Sequence, residues 1–171
     1  FFAALELFSK DFNSRIIITA PNNDQGNRCI LNLIKYYLPR IKNSTYIESL
    51  GGRRYHSIMS LASKRNVIVC GNSSSVIKEA PFYGAHSLNV GVRQLGREAA
   101  STQFNCDAKS QIIVENLVSL HNKKCRTGYN PYFNINPSDQ IIDFIENIFS
   151  TYSKDNILLK KWSKYPFYSN N

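Results

Sequence analysis

The densest run of small polar residues in this 171-residue sequence is Gly71-Asn72-Ser73-Ser74-Ser75, directly after the apolar stretch at 66–70 (NVIVC). Small residues there let backbone N–H groups approach an anion, hydroxyls add donors, and the N-terminus of a following helix adds its dipole. That is a seat for phosphate, and the same residues also fit a Ser/Asn helix cap with no ligand. Glu79 stands five residues beyond Ser74, about one and a half helical turns on. A carboxylate there accepts the two hydroxyls of a ribose, or else pairs with Lys78. A second polar run, from Gly91 through Arg93, Gly96 and Arg97 to Glu98, follows the apolar residues 86–90 (HSLNV). Its G-x-x-x-x-G spacing invites a P-loop reading, which fails because Arg97 and Glu98 stand where Lys and Ser/Thr are needed. Arg93 and Arg97 can still fork onto phosphate or carboxylate oxygens. Taken alone, pairing with Glu98 is the expected role for at least one of them.

Two further polar clusters follow apolar runs. Asn22, Asp24 and Arg28 come after 15–20 (RIIITA), and Gly51, Gly52, Arg53 and Arg54 after 45–48. His56, His86 and His121 are scattered, with no neighbouring Cys or Asp at metal-ligand spacing, so no metal site is expected. The four cysteines, Cys29, Cys70, Cys106 and Cys125, form no C-x-x-C pair and read as buried free thiols, which points to a cytoplasmic address. G-x-S-x-G and G-x-G-x-x-G are both absent, which counts against an α/β-hydrolase and an ordinary dinucleotide binder.

The elements that must carry these turns follow from periodicity. Residues 2–12 make an amphipathic helix, and 15–20, 45–48, 66–70 and 86–90 are strands. A helix after Pro21 has its apolar face at Ile30, Leu33, Ile34, Tyr37 and Leu38, and YHSIMSLAS (55–63) is a short helix. Another leaves the serine turn and is bent or ended by Pro81 and Gly84. Further helices are expected at 111–120, at 139–149 with Ser138 as its cap, and at 156–162. Strand and helix alternate with short connections, so the fold class is α/β, a Rossmann-like doubly wound parallel sheet. In such a sheet ligands sit at the carboxyl ends of the strands, where all four polar clusters lie.

Composition agrees with one well-packed domain over 1–171. The chain is 43% hydrophobic with 21 Lys+Arg against 12 Asp+Glu, a net charge of +9. Mean hydropathy is −0.31 and no apolar run approaches the roughly 18 residues a membrane helix needs, so a soluble chain with no membrane partner is expected. The opening FFAALELF lacks a Met, a basic leader and a cleavage site, and reads as the interior of something longer rather than a signal peptide. Residues 51–100 hold seven basic and two acidic side chains, which points to an anionic partner near the middle. The tail KKWSKYPFY mixes cations with aromatics as nucleic-acid binders do. A terminal helix and tail over 152–171, docking Trp162 and Tyr165 while its lysines face water, is favoured over that reading.

The long stretch VIVCGNSSSVIKEAPFYGAHSLNVGVRQLGRE resembles the signature of the hydrolysing UDP-N-acetylglucosamine 2-epimerases of sialic acid biosynthesis. PNNDQGNR is similar to that family's P-N-x-D-x-G-x-[KR] loop, and SLGGRRYHSIMSLAS to its uracil-side loop and helix. The resemblance covers nearly the whole chain. It implies the C-terminal, nucleotide-binding half of a two-domain glycosyltransferase-B architecture, with the N-terminal domain and its proton-moving carboxylates lying outside this sequence. By the same resemblance Ser73 and Ser74 hold the diphosphate, Glu79 the ribose, and Arg93 faces the phosphate or sugar and stabilises the leaving group. Asn22 and Arg28 line the interdomain side, and Gly52 makes a backbone contact near the base. An equivalent of Arg28 serves a feedback site for a nucleotide-activated sialic acid in some members.

The implied partners are a UDP-sugar, the N-terminal domain and further copies in a homo-oligomer, with no cofactor. The implied reaction is elimination of UDP followed by hydration, releasing an N-acetylmannosamine-type sugar. Rival readings are a non-hydrolysing epimerase or glycosyltransferase of the same architecture, a basic nucleic-acid-binding module, and an idle paralogue. One departure is marked. Where the family reads N-P-Y-G-D-G-N-A, this sequence has Phe133 and Ile135 in place of the two glycines. Positive φ is costly for such side chains, so the loop is expected to take another path. The extra Lys64-Arg65 is expected on the surface.

Overall fold

The structure, a computed structural model, describes residues 1–158. The tail KKWSKYPFY with Trp162 and Tyr165 lies outside the described residues, as does the end of the helix expected at 156–162. Phe1–Tyr132 forms one compact unit and the residues from Phe133 onward belong to a second.

The first unit runs α1 (Phe2–Asp11), β1 (Ile16–Thr19), α2 (Asn27–Tyr37), β2 (Ser44–Ile47), α3 (Gly51–Ser60), β3 (Ile68–Gly71), α4 (Ser74–Lys78), β4 (His86–Val90), β5 (Gln103–Cys106) and α5 (Ser110–His121). Every strand pairing is parallel. The strands divide into two sheets, β1–β2 and β3–β4–β5, with β4 central in the second. A single apolar cluster serves both, built from Leu5 and Phe8 of α1, Ile18 of β1, Ile34 of α2, Leu88 and Val90 of β4, and Ile113, Leu117 and Leu120 of α5. This is the α/β, Rossmann-like arrangement that the alternation of strand and helix implies.

Parallel neighbours require a crossover of a dozen or more residues, ordinarily a helix. β1 reaches β2 through α2, and β3 reaches β4 through α4 and a 3-10 turn, Ala80–Tyr83. Between β4 and β5, however, residues 91–102 cross without any helix. That crossover holds Arg93, Gln94 and Arg97.

Several sequence expectations need correction. β5 escapes a search for apolar runs because Gln103-Phe104-Asn105-Cys106 alternates polar and apolar residues, as suits a half-buried edge strand. On α2 only Ile34 of the expected inner face is fully buried. Leu31, Tyr37 and Leu38 pack partly against the core, while Ile30 and Leu33 are exposed, so the inward stripe is rotated about the helix axis. The four cysteines are free as expected but not buried as a set: Cys29 is exposed and the other three are half-buried.

In the second unit α6 (Pro137–Thr151) precedes α7 (Lys154–Leu158). Its cap is not Ser138. Pro137 takes the first turn, where its fixed φ suits a helix, and Asn136 is the N-cap at φ 56°. Neither Phe133 nor Ile135 has a positive φ, and the left-handed step falls on Asn136, which tolerates it. Lys64 and Arg65 are exposed, as expected. Among the described residues, no helix is long and apolar enough to cross a membrane.

The 3-10 turn after α4 ends at Gly84, with φ 73°. A Cβ at that position would lie 3.0 Å from the carbonyl carbon of Arg126 and 3.0 Å from the nitrogen of Thr127, both backbone atoms. Gly84→Ala should therefore cost about 2–4 kcal/mol, from the left-handed conformation and the forced backbone shift together. Equilibrium urea unfolding measures it, and a loss under about 0.5 kcal/mol, the range of ordinary surface changes, would refute this account.

Candidate functional site

Each polar cluster singled out in the sequence leaves the carboxyl end of a strand, and side chains link all four. Asp24, in the loop between β1 and α2, pairs with Arg93 in the crossover after β4, Oδ2 to Nη2 at 3.3 Å. Gln94, next to Arg93, donates from Nε2 to the carbonyl of Asn72 in the turn after β3 at 2.7 Å. α3, which leaves β2, reaches the start of α4 through Tyr55 and its end through His56. The Tyr55 hydroxyl donates to Ser75 Oγ at 3.0 Å, and His56 Nε2 lies 3.5 Å from Glu79 Oε2.

The polarity of the serine turn is set by these contacts. Ser73 is the N-cap of α4, accepting the N–H of Ser75 at 3.4 Å, and its Oγ also accepts the Ser75 hydroxyl at 3.2 Å. Both acceptor sites of the Ser73 hydroxyl are thus used, and its own proton is left to point outward as a donor. Tyr55 stays a phenol throughout, because burial pushes its pKa up, with Glu79 adding to the rise and the bond to Ser75 opposing it. Tyr55→Ser75→Ser73 is therefore a one-way chain ending in a donor, the polarity an anion needs. α4 itself has only five residues, so hydroxyl and amide donors matter here more than a macrodipole.

Ser73, Ser74 and Arg93 are exposed and Glu79 half-exposed, on an open edge rather than in an enclosed cavity. A concavity of about 420 Å³ lined by β1, β2 and α3 takes in Arg53 and Arg54, and none of those four residues lines it. Asn22 lies in the exposed loop after β1, Arg28 in the first turn of α2 and Gly52 in the first turn of α3. Among the described residues, no side-chain hydrogen bond or ion pair joins these three to the serine turn.

The expected Glu98 pairing does not form: among the described residues neither Arg93 nor Arg97 makes an ion pair with it, and Arg93 turns to Asp24 instead. Glu98 contributes its carbonyl to the Tyr132 hydroxyl. Glu79 likewise faces His56 rather than Lys78, whose ammonium sits 5.5 Å from the centre of the Tyr132 ring. No group of three or more His, Cys, Asp or Glu able to hold a metal occurs among the described residues. Tyr55, His56 and Gln94 had no signal in spacing or composition, because their role depends on which loops the fold brings together.

The profile of the UDP-N-acetylglucosamine 2-epimerase family matches residues 1–146. This chain belongs to that family. Among its relatives is the UDP-N-acetylglucosamine 2-epimerase of Neisseria meningitidis serogroup B, 34% identical over 116 residues, 67% of this chain and 28% of that protein. The GDP/UDP-N,N'-diacetylbacillosamine 2-epimerase (hydrolyzing) of Campylobacter jejuni is 33% identical over 86 residues, 50% of this chain and 21% of that one. Polysialic acid biosynthesis protein P7 of Escherichia coli is 25% identical over 143 residues, covering 81% and 35%. The epimerase-family chain described here thus spans at most about a third of the length of these relatives.

Cys70 is the penultimate residue of β3, just ahead of the serine turn of this epimerase-family domain, and burial, with a smaller contribution from Cys106, pushes its thiol far above the usual range. The thiolate is the reactive form, so Cys70 stays protonated and inert at pH 8, whereas Cys29 is open to solvent. Timed iodoacetamide labelling read by peptide mass spectrometry should modify Cys29 first and Cys70 last. Labelling of Cys70 ahead of Cys29 would contradict the burial of the β3 terminus.

Proposed function

We propose that this chain is the C-terminal, UDP-binding domain of a hydrolysing UDP-N-acetylglucosamine 2-epimerase, the second half of a glycosyltransferase-B architecture. The observation that carries the reading is the linked series of strand-end loops in a family member: a hydroxyl at Ser73 left free to donate, an exposed guanidinium at Arg93 and a carboxylate at Glu79. In this reading Ser73 and Ser74 hold the diphosphate, Glu79 accepts the ribose hydroxyls, and Gly52 lies against the base. Asn22 and Arg28 face the cleft toward the preceding domain.

The chemistry asked of these residues is electrostatic. Elimination of UDP from the sugar builds negative charge on the departing diphosphate, and prepositioned donors aimed at that charge lower the barrier. Arg93 and Ser73 supply such donors. Carboxylates of the N-terminal domain move the protons, so the domain described here binds and stabilises while the other completes the reaction. The substrate is UDP-N-acetylglucosamine or a close 2-acetamido relative and the products are UDP and the 2-epimerised sugar; the names of the Neisseria and Campylobacter relatives support the class, and the name of the Campylobacter relative supports the hydrolytic outcome. The full-length enzyme works as a cytoplasmic homo-oligomer in sialic-acid-type sugar synthesis and needs no cofactor.

Arg93 is held by an exposed ion pair worth only about 0.2–1 kcal/mol, which a phosphate can displace. A charge-assisted contact to phosphate is worth roughly 1.5–3 kcal/mol. In UDP titrations of the full-length enzyme, Arg93→Ala should weaken binding by about one to two decades and Arg97→Ala by less. Equal losses, or a larger one at Arg97, would reverse the assignment.

The division of labour has its own test. UDP release from UDP-N-acetylglucosamine should be measurable with the full-length enzyme and absent with the 171-residue chain alone. Turnover by the isolated chain would place the proton-moving groups inside it and overturn the two-domain reading.

A further inference from the structure

His56 has no part in the functional reading above, yet it sits between two polar groups of the neighbouring elements. Its Nε2 is 3.5 Å from Glu79 Oε2, and its Nδ1 is 3.0 Å from the Tyr83 hydroxyl. A carboxylate only accepts, so Nε2 carries the proton, and in the neutral ring Nδ1 must accept from Tyr83. The imidazole is therefore oriented from one side by Tyr83 and orients Glu79 on the other. Ring contacts with Tyr55 at 6.0 Å and Tyr83 at 5.7 Å between centroids hold its plane. Glu79, Tyr83 and Tyr55 are the titratable groups ranged against it, from α3 itself, the end of α4 and the 3-10 turn beyond.

We propose that His56 is the positioning residue for Glu79, fixing one carboxylate oxygen so that the other is presented to the ribose, and that discrimination for the ribose 2′-hydroxyl is expressed through this contact. The proposal rests on Glu79 being the ribose acceptor. The two side chains are 44% and 42% exposed, so the pair lies within reach of a ligand rather than deep in the core. A free glutamate on a helix end samples several rotamers and must lose that freedom when it binds a diol. One already held by an imidazole has lost it beforehand, and this preorganisation favours the ligand that uses both hydroxyls. The Tyr83–His56–Glu79 series also joins the helix that follows β2 to the end of the helix that follows β3. The carboxylate is thereby held relative to two strand ends at once.

The test compares UDP with 2′-deoxy-UDP by titration into the full-length enzyme and its His56→Leu, His56→Gln and Glu79→Gln variants. His56→Leu should cut the preference for UDP over the deoxy analogue by about three- to tenfold, the equivalent of one neutral hydrogen bond. His56→Gln, whose amide can both donate and accept, should restore most of it, and Glu79→Gln should abolish it. An unchanged preference in His56→Leu, with loss in Glu79→Gln, would overturn the positioning role and leave the ribose reading standing. Equal weakening of both nucleotides by His56→Leu would mark a merely structural histidine and overturn it too. An unchanged preference in Glu79→Gln would remove the ribose reading and this proposal together.

Discussion

β4 is buried at all five of its positions, and the rest of the first unit is arranged around that burial. A strand covered on both faces and paired on both edges must find most of the partners for its polar groups inside the protein. β4 nonetheless carries His86, Ser87 and Asn89. Ser87 donates to the carbonyl of Val76 in α4, the Asn89 Nδ2 donates to Asn105 on β5 while its Oδ1 has no hydrogen-bond partner among the described residues, and His86 meets the carbonyl of Lys123 beyond α5. These bonds tie the central strand to the helix that leaves the serine turn, to the edge strand and to the segment after α5. The buried polar side chains therefore specify which elements may pack on β4, where an all-apolar strand would leave the choice open.

The same device recurs at the other end of β3. Asn66 does not extend the strand: its Nδ2 reaches the carbonyls of Leu120, His121 and Lys123 at 2.7–2.9 Å. Three acceptors converge on a group with two protons, so the final turn of α5 is gathered onto one side chain at the foot of the sheet. Orphan carbonyls at a helix end require such partners. α5 is thus fixed at its C-terminus by Asn66 and along its length by Ile113, Leu117 and Leu120 in the core it shares with α1. With β3 pinned below, its upper end delivers the serine turn from a rigid base.

Most of this scaffold was legible in the sequence because it follows periodicity. The apolar runs at 15–20, 45–48, 66–70 and 86–90 each overlap a strand, and every candidate residue falls in a turn or helix leaving one. The edge strand β5 was not legible, since alternation over four residues is a weak signal beside a continuous run. The rotation of α2 could not be read either: Ile30 and Leu31 are adjacent and equally apolar, and only packing against α1 and the sheet decides which one turns inward. For the site, residue types at strand ends were visible, whereas partners were not. Lys78 for Glu79 and Glu98 for the arginines were the nearest neighbours along the chain. The fold chose His56 and Asp24, which lie far away in sequence, because parallel topology brings the loops after different strands to one edge.

That edge is where the positive charge gathers. Arg53 and Arg54 open α3 after β2, and Arg93 and Arg97 lie after β4, all four of them exposed. Of these four, only Arg93 forms an ion pair with a described residue, an aspartate that is itself mostly in solvent. Exposed charges of one sign, left largely uncompensated, raise the local concentration of anions without committing to a fixed geometry. Geometry comes instead from the neutral network of Tyr55, Ser75, Ser73 and Gln94, whose hydrogen bonds are short-ranged and directional. Long-range attraction and short-range orientation are thereby assigned to different residues. The crossover 91–102 makes the separation possible, because a segment that forgoes a helix keeps its backbone free to bring an arginine and a buried glutamine side by side to the same strand end.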